Sequence, residues 1–297
     1  MTAAATPRTA RLDLVALAMG LAFAFMWSSA FTSARIIVAE APPLLSLALR
    51  FALSGAIAIV VALALGQSWR LTAAQWRLTI LFGFCQNALY LGLNFVAMQT
   101  VEASLAAIIA SAMPLLVALF LFTGGEKPSA LGLMGLVLGM AGVALIMGTR
   151  VGAGADPFGI ALCVAGAVAL AFATLALRGA SSGGNVLMVV GIQMLVGAVS
   201  LAAAGLPTEE WDVVWSMRLT AAFAYTTLIP GLAATVVWFR LVRRIGATRA
   251  ATFHFLNPVF GVAVAWALLG EAMGPLDLLG VAVVTAGILA VQLSKQG

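Results

Sequence analysis

Residues 103–126 read ASLAAIIASAMPLLVALFLFTGGE, and residues 247–271 read ATRAATFHFLNPVFGVAVAWALLGE. Ala103-Ser104 and Ala106-Ala107 recur as Ala247-Thr248 and Ala250-Ala251, and Pro114 recurs as Pro258, all 144 residues apart. After a one-residue slip, Gly125-Glu126 returns as Gly270-Glu271, Leu131 as Leu276, and Gly135 and Gly142 as Gly280 and Gly287. The earlier parts of the two stretches agree more weakly, Arg35 with Arg178 and Arg50 with Gln193. A proline, a Gly-Glu pair and two glycines matched at near-constant spacing mark an internal duplication.

The setting of that duplication is apolar throughout. The 297 residues are 63% hydrophobic and 8% charged, with a mean hydropathy of +1.13. Soluble domains run about 45–50% apolar and about 25% charged, so the composition excludes a soluble globule and a disordered chain. It also excludes a nucleic-acid reader, despite an isoelectric point near 10.0. Cys85 and Cys163 both lie in apolar runs and build no disulfide framework.

A helical span needs about 20 mostly apolar residues. Runs between charge and Pro/Gly punctuation place ten of them, at 13–34, 44–65, 76–98, 103–122, 129–148, 157–178, 185–205, 218–240, 247–268 and 275–293. The runs are continuous rather than alternating, which excludes a barrel. The expected fold is all-α and integral to the membrane. It comprises a tail at 1–12, a first five-helix repeat at 13–148 and a second at 157–293. The first apolar run shows no cleavage site and reads as a retained helix.

Five is odd, so the second repeat enters the bilayer with the opposite orientation. Placing the N-terminus in the cytoplasm gathers Arg8, Arg11, Arg70, Arg77, Lys127, Arg178, Arg240, Arg243, Arg244, Arg249 and Lys295 on the inner side, 11 of the 15 basic residues. Eight of the ten acids then face outward, and only Asp13 and Glu126 face inward. By the positive-inside rule both termini are expected in the cytoplasm. Inverted repeats with a midplane site between them are the architecture of secondary transporters. The competing expectation is a duplicated membrane scaffold or sensor without transport.

The helix ending at Pro114, the Gly125-Glu126 after it, the glycine-spaced fifth helix and their second copies carry a resemblance, as do Pro43 and Leu49-Arg50-Phe51. The chain resembles the drug/metabolite transporter superfamily, in its ten-helix form built from two EamA repeats, over essentially its whole length. Within that group it is nearest to the YddG-like amino-acid exporters. The resemblance implies efflux of small metabolites, often amino acids, through a cavity lined by helices 1–4 and 6–9. Helices 5 and 10 are then peripheral, and the membrane is a bacterial inner membrane.

Polar groups deep in hydrocarbon are costly and need a partner, a wet cavity or a ligand. The candidates are Trp27, Ser28, Ser29 and Thr32 on helix one, and Gln86, Asn87, Tyr90 and Asn94 on helix three. Helices eight and nine add Tyr225, Thr226, Thr227, Trp238, His254 and Asn257. Spacing of i, i+4 puts Gln86, Tyr90 and Asn94, with Asn87 beside them, on one broad helical face. An apolar cavity with few polar fixings and several aromatics suits a small zwitterion or amphiphile, and Trp faces suit an ammonium. The same Ser, Thr and Asn side chains also serve as hydrogen-bond glue between helices.

His254, the one histidine, is read either as a proton-coupling or substrate contact or as a neutral ring bonded to a nearby carbonyl or hydroxyl. Arg50 either meets a substrate carboxylate as a bidentate donor, or snorkels outward or pairs with Glu40 or Glu102. Arg35 reads as an interfacial anchor. Pro114, Pro230 and Pro258 interrupt helices four, eight and nine and are expected to act as hinges or to set shape alone. No acid falls at the middle of a span, so a pump built on a central carboxylate is excluded.

No nucleotide-binding motif or metal cluster appears in the sequence, so no cofactor is expected and the chain is not read as an enzyme. The expected partners are the lipid bilayer and a small-molecule substrate. The expected function is alternating-access export of small metabolites, amino acids first, with organic cations as the alternative substrate class. A monomer is expected, because glycines matched between helices five and ten suit packing within one chain.

Overall fold

A computed structural model describes residues 13–176 and 184–294; Arg8, Arg11, Arg178, Lys295 and the 1–12 tail lie outside them. Ten helices are long and apolar enough to cross a membrane: α1 Leu14–Val38, α2 Pro43–Ala64, α3 Ala73–Ala97, α4 Ala103–Thr123, α5 Ala130–Gly152, α6 Pro157–Ala176, α7 Val186–Gly205, α8 Met217–Ile245, α9 Arg249–Leu269 and α10 Pro275–Leu293. No strand occurs among the described residues. The protein is a multi-pass, all-helical membrane protein, as its composition requires.

Local chemistry fixes the helix ends. Asp13, Ser129 and Ser216 each accept a hydrogen bond from a first-turn N–H, and Thr72 and Gln75 form a capping box. Pro43 and Pro275 open α2 and α10, where the missing N–H costs nothing. The repeated glycines of the Gly-Glu motif end α4 and α9 with φ of +99° at Gly125 and +69° at Gly270. That left-handed conformation is one glycine alone adopts without penalty, which explains why the motif recurs.

Four helices are irregular inside. In α3 a π-helical stretch runs Gly83–Tyr90, and in α8 another runs Ile229–Ala233. The α4 helix breaks at Ala112, before Pro114, and α9 tightens to 3₁₀ over Phe253–Leu256, before Pro258. Each proline withholds the N–H due to the carbonyl four residues back. Tighter local bonds form beside the breaks: Asn257 N–H donates to His254 O, and Ala112 N–H donates to Ile109 O at 3.1 Å.

Equivalent helices of the two repeats pack against each other. Cβ positions built on Gly55 (α2) and Gly191 (α7) would each lie 3.0 Å from the other's carbonyl oxygen, and one on Gly135 (α5) would lie 2.8 Å from Gly287 O (α10). Around these pairs the halves interlock, with α1 against α8 and α9 and α6 against α3 and α4. The structure therefore has two faces: α1 begins and α10 ends at the first, and α1 ends and α10 begins at the second.

Ionic contacts sit at those faces. At the first, Arg244 donates to Asp13 at 2.6 Å and holds its carboxyl below the usual carboxylate range. At the second, Arg150 bonds Glu102 at 2.5 Å and Asp277 at 3.2 Å, and burial pushes the Glu102 carboxyl up against the opposing pull of Arg150. Thr100 donates to Asp156 at 2.7 Å and lowers that carboxyl.

Candidate functional site

A narrow cavity of about 50 Å³ lies between α1, α2, α3 and α8. Its walls include Trp27, Phe31, Arg50, Tyr90, Asn94, Phe95, Thr226 and Pro230. The space admits a few water molecules. Six of the singled-out residues thus line it together: Trp27, Arg50, Tyr90, Asn94, Thr226 and Pro230.

Arg50 decides its character. The side chain is buried, at 5% exposure, so it does not snorkel to the interface. Nor does it pair with an acid: Glu40 accepts from Ser216, Glu102 is held by Arg150, and no described carboxylate reaches Arg50. Its Nε donates to Thr226 O at 3.2 Å. That oxygen is free because Pro230, four residues on, has no N–H to give it. The guanidinium carbon lies 4.9 Å from the Phe51 ring centroid. Neither Nη group has an acceptor among the described residues, which leaves a cation in hydrocarbon without a counter-ion beside an otherwise aromatic and amide wall.

Asn94 lies opposite in chemistry. Its Nδ2 donates to Tyr90 O at 2.7 Å, while Oδ1 is buried without a partner. The cavity thus presents one open cation and one orphan acceptor.

Of the α1 residues that line the cavity, Trp27 lies nearest the first face. Its ring centroid is 5.8 Å from Phe23 and 6.4 Å from His254, and Trp238 stands 4.7 Å from Phe23 and 5.3 Å from His254. Asn257 Nδ2 lies 3.0 Å from His254 Nδ1, so the partner of the histidine is an amide rather than a carbonyl or hydroxyl. Toward the second face Arg35 donates to Met98 O, which ties α1 to the end of α3.

The remaining candidates lie elsewhere. Asn87 donates to Gln193 O at 2.8 Å and packs on Gly197, so it faces α7. Gln86 does not line the cavity, and neither does Ser28, which is buried near Gly261 with its hydroxyl unpartnered. Of the face expected for Gln86, Asn87, Tyr90 and Asn94, Tyr90 and Asn94 line the cavity, and the π turn widens the angle between Asn87 and Tyr90, three residues apart. Pro114 and Pro258 sit at their helix breaks and do not line the cavity. Sequence reasoning missed Phe23, Phe31 and Phe95, although Phe23 lies one helical turn before Trp27.

Comparison with known proteins identifies the family. The model of the EamA-like transporter family matches twice, over residues 14–148 and 157–293. The chain belongs to that family. Among similar EamA proteins, the uncharacterized transporter YvbV of Bacillus subtilis is 26% identical over 92% of this chain and 90% of its own length. The uncharacterized inner membrane transporter YedA of Escherichia coli is 26% identical over 91% of this chain and 88% of its own. A solved crystal structure, 23% identical, shares this fold with a TM-score of 0.66 over 95% of this chain and 98% of that one.

Proposed function

We propose that this EamA protein exports small carboxylate-bearing metabolites, amino acids above all, by alternating access between the repeats 13–148 and 157–293. The observation that carries the reading is Arg50, without a counter-ion among the described residues, lining the cavity between α1, α2, α3 and α8. A buried cation without a counter-ion is expensive, and a planar carboxylate is the ligand that its two open Nη groups accept side by side. Asn94 Oδ1 then accepts from the ammonium, and the Trp27 face supports the same cation. Trp238 and His254 stand with Trp27 in one aromatic cluster. The setting proposed is a bacterial inner membrane with both termini cytoplasmic, in keeping with the basic residues at the end of α8 and the start of α9.

Counterflow in proteoliposomes tests this reading, using labelled amino acids and one lipophilic cation, each with and without a pH gradient. Saturable amino-acid counterflow is expected, reduced about tenfold or more in Asn94→Ala, the cost of one hydrogen bond to a charged group. Flux of the cation alone would transfer the cavity to multidrug export. No flux of any compound from folded protein would favour a scaffold.

A further inference from the structure

Glu271 follows α9 in sequence but acts on the other repeat. Its Oε1 accepts from the N–H of Ala103 at 2.8 Å and its Oε2 from that of Ser104 at 2.9 Å, at the start of α4. Those donors belong to a first turn that no helix satisfies internally, and negative charge is favoured there. The α2/α7 pair shows the same device in both directions. Glu209, after α7, accepts from Leu44 and Leu45 at the start of α2, and Gln67, after α2, accepts from Met188 at the start of α7. Loop residues of each repeat thus cap the partner helix of the other.

For α4 and α9 the sequence supplies the missing half. Glu126 is the repeat equivalent of Glu271, and Ala247-Thr248, which open the helix Ala247–Thr252, are the equivalents of Ala103-Ser104. Both glutamates follow a left-handed glycine, Gly125 or Gly270. We infer that Glu126 caps the start of α9 at Ala247 and Thr248, and that the two carboxylates are reciprocal gate latches. Glu271 holds the second face closed and Glu126 the first.

The α2 and α7 caps fasten two continuous helices pressed together at Gly55 and Gly191. Glu271 and Glu126 instead fasten helices broken at Ala112 and over Phe253–Leu256, whose leading segments are set off from the rest of the helix by those breaks. The two latches differ in surroundings. Glu102, beside the first, is bonded to Arg150, whereas its equivalent in the second repeat is Gly246, which has no side chain.

The test reads gate opening without substrate, so its failure is separate from failure of the carboxylate reading. In a Cys85→Ala/Cys163→Ala background, Ala34→Cys reports the second face and Ala24→Cys the first, each labelled by a membrane-impermeant maleimide from either side. Glu271→Gln is expected to raise Ala34→Cys labelling from the second face about fivefold, the population shift for losing one charged helix cap. Glu126→Gln is expected to raise Ala24→Cys labelling from the first face instead. Labelling that is unchanged, or that moves at the same face in both variants, overturns the inference. Amide exchange gives the second readout: Ala247 and Thr248 are expected to be protected in the unmodified protein and to exchange about fivefold faster in Glu126→Gln. If a variant fails to fold, the unmodified protein decides, since exchange there as fast as in an exposed loop refutes the Glu126 cap.

Discussion

Arg50→Met is expected to give a folded EamA transporter whose amino-acid flux is reduced about a hundredfold or more. The reasoning separates stability from function. Met occupies similar volume but brings no charge, so the variant escapes the cost of holding a cation in hydrocarbon without a counter-ion. Against this gain it leaves Thr226 O without the donor at 3.2 Å, a loss of about 1–3 kcal/mol. The two terms oppose each other, and thermal stability in detergent should shift by only a few degrees. Flux has no such compensation, because a bidentate charge-assisted contact is worth about 3 kcal/mol or more, which is about two decades in rate. Arg50→Lys keeps the charge and loses the planar fork, so it should fall between, about tenfold below the parent. Stability and counterflow measured on the same preparations settle the role. Full flux in Arg50→Met would end the carboxylate reading, and a collapse in stability would make Arg50 a packing residue.

That experiment turns on a residue whose surroundings the sequence concealed. Arg50 lies early in α2, close enough to the second face for either an interfacial or a buried role. What removed the ion-pair option was the engagement of Glu40 by Ser216 and of Glu102 by Arg150, contacts between distant parts of the chain. The duplication, by contrast, was legible because its markers have backbone reasons to persist. Gly125 and Gly270 occupy left-handed turns, and Pro114 and Pro258 end their helix breaks. The π stretch Gly83–Tyr90 of α3 has no signature in the sequence, and it spreads Asn87 from Tyr90, three residues on, so that Asn87 meets α7. Phe23, Phe31 and Phe95 were invisible for want of contrast, since in a chain 63% hydrophobic an apolar wall residue looks like any other.

Gly287→Ala should be among the most damaging single-methyl changes in this protein, although it touches no part of the cavity. A Cβ on Gly287 would lie 2.5 Å from both Gly139 N and Gly139 Cα and 2.7 Å from Gly135 O. All three are backbone atoms, so no rotamer change relieves the clash and α5 and α10 must move apart. Inside a bilayer, close backbone approach is a main source of helix association, and overpacking a tight site costs about 1–3 kcal/mol. Gly148→Ala is the control in α5, because its Cβ would meet nothing within 4 Å and alanine gains up to about 1 kcal/mol of helix propensity. The expected result is a drop of several degrees for Gly287→Ala in detergent, with no drop for Gly148→Ala. Equal tolerance of both would show that the two helices are not zipped as described. The contact is isologous in the way a two-fold interface requires. Gly135 meets Gly287 while Gly142 meets Gly280, and in the repeat Gly135 is equivalent to Gly280 and Gly142 to Gly287. One pattern of two glycines seven residues apart therefore supplies both sides of the seam, and Gly142→Ala, whose Cβ would lie 3.0 Å from Val284 N, should show a smaller loss of the same kind.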